Sequence, residues 1–253
     1  MKLQIAKDNY IKPITKEFTV SLDSDSILSE PKKYKLLVAS DLHLGYIINR
    51  KVLEKYVEVI NEQAPDIVVV VGDLIDYYLE PLKEEGCDEV LRLLDPPKGV
   101  YFIPGNHEYK TNIDENLNWI HDAGFTILKD SIANIDNELY LIGWDDRINI
   151  SHRTDLVSLI EKTPSLQTSI LFTHQPEDIS EAYRLNIPLT ISGHTHNGHV
   201  FPFNWGVYIK DHFYGFHQEE NTCSYVTSGM GLSGLPLKLM ADSEFAVFNI
   251  EIK

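Results

Sequence analysis

The sequence is poor in cysteine, in cationic side chains and in long apolar runs. Only Cys87 and Cys223 occur in 253 residues. Two thiols so far apart make no disulfide framework and fit a reducing compartment. No stretch approaches the ~18 uninterrupted apolar residues of a membrane-crossing helix, and Met1 to Tyr10 lacks the apolar run of an export signal. The chain as it stands therefore reads as cytoplasmic, membrane-associated only if the native protein carries an anchor beyond it. Lys and Arg number 22 against 38 Asp and Glu, for a net charge of −16. Such a surface repels polyanions over most of its area, which argues against duplex nucleic acid as a partner. Bound cations can still reverse the sign locally and admit a phosphate ester.

The remaining composition is that of a globular protein, 43% hydrophobic and 24% charged. No Pro/Ser/Gly-rich linker divides the chain, so one domain is expected over 1–253, with its core from about residue 35 and an N-terminal strand and loop over 1–34. Thr15 to Leu22 alternates as an edge strand, and Asp23 to Lys33 reads as a loop. Then KLLVA (Lys35 to Ala39), DIVVVV (Asp66 to Val71) and GVYFI (Gly99 to Ile103) are short buried strands. They are separated by helical stripes at Arg50 to Gln63 and Leu82 to Leu94, and followed by one at Ile113 to Ala123. This order predicts an α/β fold with a partly parallel sheet. Further on, Thr126 to Ile135 and Glu138 to Gly143 flank a hairpin turn at Asp136 and Asn137. A helix at Thr154 to Lys162 precedes strands at Ser169 to Thr173, Pro188 to Ser192, Tyr225 to Ser228 and Glu244 to Ile252. Two mixed sheets face to face with helices outside would accommodate them.

Polar clusters recur just after buried strands. Asp41 and His43 follow KLLVA, Gly72 and Asp73 follow DIVVVV, and Gly105, Asn106, His107 and Glu108 follow GVYFI. His174 follows SILFT, and Gly193, His194, Thr195 and His196 follow PLTIS. Strand C-terminal ends are where open α/β sheets bind ligands. Carboxylates, an amide oxygen and imidazoles form a mixed O/N donor set suited to manganese, iron, zinc or cobalt. On an extended strand end, residues two apart such as Asp41 and His43 share a side. Glycines before Asp73, Asn106 and His194 permit sharp turns there. Taken singly, Asp-x-His is common by chance and Gly-Asp marks a turn; the five in order are far more specific.

The series DLH, GDLID, GNHE, H and GHTH resembles the calcineurin-like metallophosphoesterases, from about Lys35 to the C-terminus. The GNHEY and GHTH blocks and the late Ser228-Gly229-Met230-Gly231 segment, with Ser233 to Pro236 after it, resemble a bacterial branch of membrane-associated phosphohydrolases. The resemblance implies an α/β four-layer αββα sandwich of two mixed sheets flanked by helices. It implies two divalent or trivalent metal ions, manganese first, with iron, zinc and cobalt as alternatives. Asp41, His43 and His196 would hold one; Asn106, His174 and His194 the other; Asp73 would bridge them. Asn106 and His107 would contact the phosphate, His107 would protonate the leaving group, and Glu108 would orient His107 or stand as a surface carboxylate. This chain has Asn197-Gly198-His199 where the branch commonly has Gly-Gly-Gln, so His199 becomes a candidate substrate contact.

The expected function is hydrolysis of a phosphodiester or pyrophosphate bond by metal-activated hydroxide, with a phosphate-ester substrate that the branch resemblance extends to lipid-linked ones. The alternatives are a phosphomonoesterase and a non-catalytic scaffold on the same fold; scaffold relatives typically lack the histidine that stands here as His107. Asp76 in GDLID is weighed as a support for a metal-binding histidine or as a helix cap. The aromatic stretch 200–216 reads as core packing, or as a wall for an apolar substrate and peripheral membrane contact.

Overall fold

The computed structural model describes residues 10–24, 30–198, 213–232, 238 and 241–253. Alternation within the buried strands sorts their side chains into layers. In β2 (Lys32–Ala39), Leu36 and Val38 point to one side and Leu37 and Ala39 to the other. In β3 (Ile67–Val71), Ile67, Val69 and Val71 oppose Val68 and Val70 in the same way. A strand apolar on both sides requires cover on both. One cover is helical: α1 (Arg50–Glu62) with Leu53, Tyr56, Val57 and Ile60, the short α2 (Glu80–Glu85) and α3 (Cys87–Leu91), and α4 (Ile113–Asp122) with Trp119 and Ile120. The other cover is a second sheet, whose Leu139, Leu141, Ile170, Phe172, Leu189 and Ile191 meet the first across a buried apolar interface. Its outer residues Ile142 and Leu171 lie under α5 (Leu156–Ile160) and α6 (Ile179–Arg184). The layers run helix, sheet, sheet, helix.

Each sheet has six strands. In the first the order is β1-β12-β2-β3-β4-β5, with β1 at Ile14–Leu22, β4 at Val100–Ile103, β5 at Thr126–Ile127 and β12 at Glu244–Ile252. β2 through β5 are parallel, and β12 runs against β2 and along β1. In the second the order is β10-β11-β9-β8-β7-β6, with β6 at Ser131–Ile135, β7 at Leu139–Gly143, β8 at Ser169–Phe172, β9 at Leu189–Ser192, β10 at Gly215–Glu219 and β11 at Thr222–Val226. There β7, β8, β9 and β11 are parallel and the outer pairs antiparallel. Parallel runs place the loops after β2, β3 and β4 at one edge, and those after β7, β8 and β9 at one edge of the second sheet.

Several boundaries differ from expectation for local reasons. The stripe at Leu82 to Leu94 is two helices, broken at Gly86 with φ +64. Thr126 to Ile135 is not one strand: Thr126–Ile127 pairs in the first sheet and Ser131–Ile135 in the second. Asp130, at φ +48, makes the crossing, and its carboxylate accepts from the N–H groups of Asp145 (3.0 Å) and Thr154 (2.7 Å). Asp136 and Asn137 form the expected turn, both at positive φ. α6 and β10 are elements the sequence reading lacked, and β2 starts inside the expected loop. Of the aromatic stretch 200–216, residues 213–216 are described: the Tyr214 hydroxyl donates to Glu244 (2.8 Å), and Phe216 stacks on Phe18 with ring centroids 5.2 Å apart. Trp205 and Ser233 to Pro236 lie outside the described residues.

Phe248 is fully buried between the sheets and packs on Phe18 and Tyr225. Phe248→Ala should therefore lower unfolding free energy in urea by ~3–5 kcal/mol. Leu93→Ala, at an exposed position, should stay within about 0.5 kcal/mol of the parent.

Candidate functional site

Backbone pairing between β2 and β3 does not stop where the strands end. Asp41 N donates to Gly72 O (3.1 Å), His43 N to Asp73 O (2.9 Å) and Leu44 N to Leu74 O (2.8 Å), so the two following loops run on side by side. Within them the chain is not extended. Asp41, His43, Asp73, His194 and His196 all have positive φ, between 49 and 70°, a conformation that Asp and His tolerate better than most residues but that still costs of order 1–3 kcal/mol each. Left-handed residues, rather than the expected strand alternation, turn Asp41 and His43 toward one another's partners. Of the glycines, Gly72 carries φ +76, as a turn requires. Gly193 is there for room: a Cβ on it would lie 2.1 Å from Ser40 Oγ and 2.4 Å from Asp41 Oδ2.

Among the described residues three groups of ligating atoms result: His43, Asp76 and His107 form one, and the other two hold the remaining carboxylate and imidazole ligand candidates. Asp41, His43 and His196 converge within 4.8 Å of one another, with His43 Nε2 3.0 Å from His196 Nε2 and His196 Nε2 3.4 Å from Asp41 Oδ1. Such separations suit ligands sharing one ion at bonds of about 2.1 Å. Asp73, His174 and His194 form the second group, with His174 Nε2 3.2 Å from Asp73 Oδ2. The same Oδ2 lies 3.8 Å from His43 Nε2, so Asp73 stands between the groups. His194 N donates to Asp41 Oδ2 (3.0 Å), tying the groups together. Asn106 Oδ1 is buried without a hydrogen-bond partner. A buried polar atom left so costs about 1–3 kcal/mol, and a cation would meet its lone pairs; the donor set fits a metal pair.

His107 and Asp76 complete the inner surface. His107 Nδ1 donates to Asp76 O (2.7 Å), which turns Nε2 inward, 3.9 Å from Asp73 Oδ2. Asp76 Oδ1 lies 3.2 Å from His107 Nδ1 and 3.6 Å from His43 Nδ1. It therefore backs both rings from the side away from the site, and the helix-cap reading falls. Glu108 corrects the expectation twice. It is fully buried, not a surface carboxylate. Nor does it touch the His107 ring: its oxygens accept from the N–H groups of Gly105 (2.8 Å), Asp73 (3.0 Å) and Ile75 (3.0 Å), clamping the loops after β3 and β4 together. His199 lies outside the described residues.

Burial alone would push Asp73 up, but the imidazoles of His174, His43 and His107 hold it well below the usual carboxylate range. Against burial, Asp73 likewise holds His174 well above the usual imidazole range. His194 is pushed down to about 4 by burial and by His174, so its ring is neutral and its lone pair free to ligate. Glu108 is pushed up to about 7 by burial and by Asp73, against the N–H groups it accepts. Asp76 is pushed up by burial, but the adjoining rings of His107 and His43 hold it below the usual range.

A sixth strand end escaped the sequence reading. After β7 come Trp144, Asp145 and Asp146, and both carboxylates are fully buried. Asp145 accepts from Tyr109 Oη (2.6 Å) and Asn149 Nδ2 (2.9 Å); Asp146 Oδ1 accepts from Gln175 Nε2 (2.8 Å), and its Oδ2 is buried without a partner. The signal was available, since these carboxylates follow a buried strand as the other five clusters do. From the last segment, Met230 N donates to Ser40 O (2.9 Å) and Gly231 N to Asp41 O (2.8 Å), bracing the first ligand loop from behind.

Comparison with known proteins agrees with this geometry. The family model for calcineurin-like phosphoesterases matches residues 34–198, which includes every ligand candidate. An uncharacterized metallophosphoesterase of Helicobacter pylori is 30% identical over 94% of this chain and 64% of its own length. A transmembrane protein with a metallophosphoesterase domain from Danio rerio is 32% identical over 87% of this chain and 53% of its own. An uncharacterized metallophosphoesterase of Aquifex aeolicus is 28% identical over 89% and 88%. The chain thus spans less than two-thirds of the Helicobacter and Danio proteins. Among the described residues no helix is long and apolar enough to cross a membrane. With the matched region covering more than half of its length and carrying both ligand groups, this chain belongs to the calcineurin-like phosphoesterase family.

Proposed function

We propose that the chain is a dinuclear metal-dependent phosphoesterase that hydrolyses a phosphodiester or pyrophosphate bond. The observation that carries the reading is the pair of ligand groups with Asp73 between them, its Oδ2 within 3.2 Å of His174 and 3.8 Å of His43. In this reading Asp41, His43 and His196 hold one ion, Asn106, His174 and His194 the other, and Asp73 both. Bound metal ions supply Lewis acidity toward phosphoryl oxygens and bring the pKa of a water down to near 7. The mixed O/N donors make manganese the first ion to test, with iron, zinc and cobalt after it.

The protein's own groups do the rest. Asp76, behind the rings of His43 and His107, keeps their Nε2 atoms turned inward. As the water oxygen bonds to phosphorus and releases one proton to solvent, the P–O bond to the leaving group breaks, and His107, protonated on Nε2, gives the departing oxygen its proton. Glu108 acts through backbone alone, as a positioning residue. Exposed apolar side chains follow the ligands along the chain. Tyr46 (84% exposed), Ile150 (70%) and Tyr78 (60%) stand on loops a few residues past the ligands or the Asp145–Asp146 pair. Exposed apolar side chains on the loops that carry the ligands favour a lipid-linked substrate and peripheral contact with a membrane surface.

The decisive assay strips the metal, restores manganese, and measures hydrolysis of an aryl phosphodiester and the matching monoester. Asp73→Asn should lose metal content and activity together. His107→Asn should retain both metals, as read by elemental analysis, and lose about 10²- to 10⁴-fold in turnover; full turnover in that variant would remove His107 from the proton-donor role. Glu108→Gln turns an amide NH₂ toward backbone N–H groups and leaves donors unmet. It should cost about 1–3 kcal/mol in urea unfolding and weaken metal affinity.

A further inference from the structure

One cation is built against the proposed proton donor. Glu108, Tyr109 and Lys110 form a single 3-10 turn. Buried Asn116 fixes that turn, donating from Nδ2 to Glu108 O (2.8 Å) and Thr111 Oγ1 (3.1 Å), and Thr111 Oγ1 donates to Tyr77 O (3.2 Å). From this rigid base the exposed Lys110 side chain returns over the site. Its ammonium donates to His107 Nε2 and lies 4.6 Å from the centre of the Tyr77 ring. The Tyr77 ring in turn is 5.6 Å from that of His107. Lys110, Tyr77 and His107 form a corner with a cation, an aromatic face and an imidazole nitrogen.

The choice of partners is unusual for its surroundings. Asp73 and Asp76 both sit within hydrogen-bond or ion-pair reach of His107, yet among the described residues Lys110 pairs with no carboxylate; it rests on a ring face and a neutral-type acceptor. An ammonium held over an aromatic ring without a counter-charge is set up for an incoming anion. Its position says which anion. His107 Nε2 faces the oxygen that departs, so a group lying on that nitrogen from outside lies on the leaving-group side of the scissile bond.

Building on the phosphoesterase reading, we propose that Lys110 and Tyr77 form the leaving-group subsite, and that Lys110 selects leaving groups bearing a negative charge next to the scissile bond, as in a pyrophosphate diester. In that reaction water oxygen bonds to the attacked phosphorus and the bridging P–O bond breaks. Once the substrate draws the ammonium from His107 Nε2 to the charge on the second phosphate, Nε2 takes up a proton from solvent and gives it to the bridging oxygen as that oxygen leaves on the second phosphate, while the attacking water releases one proton to solvent. Tyr77 covers the group beyond it.

The test compares the manganese-loaded parent with Lys110→Ala and Lys110→Arg on three probes: bis(p-nitrophenyl) phosphate, p-nitrophenyl phosphate and ADP-ribose. The expected result for Lys110→Ala is a fall of about 10- to 100-fold in the ratio of kcat/KM for ADP-ribose to that for the aryl diester, the worth of a hydrogen bond to a charged group, with partial recovery in Lys110→Arg. Metal content and thermal midpoint should match the parent. An equal loss on ADP-ribose and the aryl monoester would mean that the cation reads the transferred phosphoryl, and would overturn the assignment. So would an unchanged ratio, or a parent that cleaves the aryl diester but not ADP-ribose; in those cases the phosphoesterase reading stands. A parent with both metals bound and no activity on any probe would bring down the two together.

Discussion

Asp73 is held at every polar atom, and the site depends on that. Its N–H goes to Glu108, its C=O receives the N–H of His43, its Oδ1 accepts from His107 N, and its Oδ2 faces His174 and His43. Four of the five sequence clusters therefore touch one residue or its immediate clamp. Its left-handed backbone, φ +52, would relax in an isolated loop. Here two strands in register, β2 and β3, extend their pairing past their ends and leave it no alternative. Strain of this kind persists only where surrounding contacts over-determine it.

Those contacts create an electrostatic problem. Asp41, Asp73, Glu108, Asp145 and Asp146 are all buried in a protein whose net charge is already −16. Burying an ionised carboxylate is costly unless it is paired or hydrogen-bonded. The described contacts solve this in different ways. Glu108 takes three backbone N–H groups, Asp73 takes imidazoles, and Asp145 takes a phenol and an amide. The remaining debt lies in the two ligand groups, and a cation is the partner that settles it. Any ion that binds the folded site and not the unfolded chain stabilises the fold by mass action, so stability and the capacity for chemistry rest on the same atoms.

This division explains how much was legible in the sequence. Ligand types at the ends of apolar runs were readable because a buried parallel strand is apolar throughout, and the first polar residue after it marks the edge. That marker was equally present in Trp144-Asp145-Asp146, but two aspartates without histidine look like a solvated turn. The role of Glu108 was not readable, because it depends on where a 3-10 turn aims one carboxylate. Nor was the break at 128–130: Thr126 to Ile135 has strand composition throughout, and only tertiary pairing assigns its two ends to different sheets. The left-handed ligands leave no periodic trace either; Asp and His are permitted there but do not announce it.

Along each loop, position after the strand also sorts the work. The first residues are pinned by continued backbone pairing, by Glu108 or by a neighbouring aspartate, and they are the buried ones: Asp41 and His43, Asp73, Glu108, His107 with its N–H on Asp73, and Asp146 with its N–H on Asp145. A few residues on, pairing ends and the chain surfaces with Tyr46, with Tyr77 and Tyr78, with Lys110, and with Ile148 and Ile150. Residues under backbone constraint cannot vary without dismantling the donor set, whereas those beyond it face only solvent or substrate. A scaffold built this way can keep one chemistry while its loops change what they accept. Specificity should therefore be sought in the residues just past each ligand, where side chains are exposed and the backbone beneath them is still held.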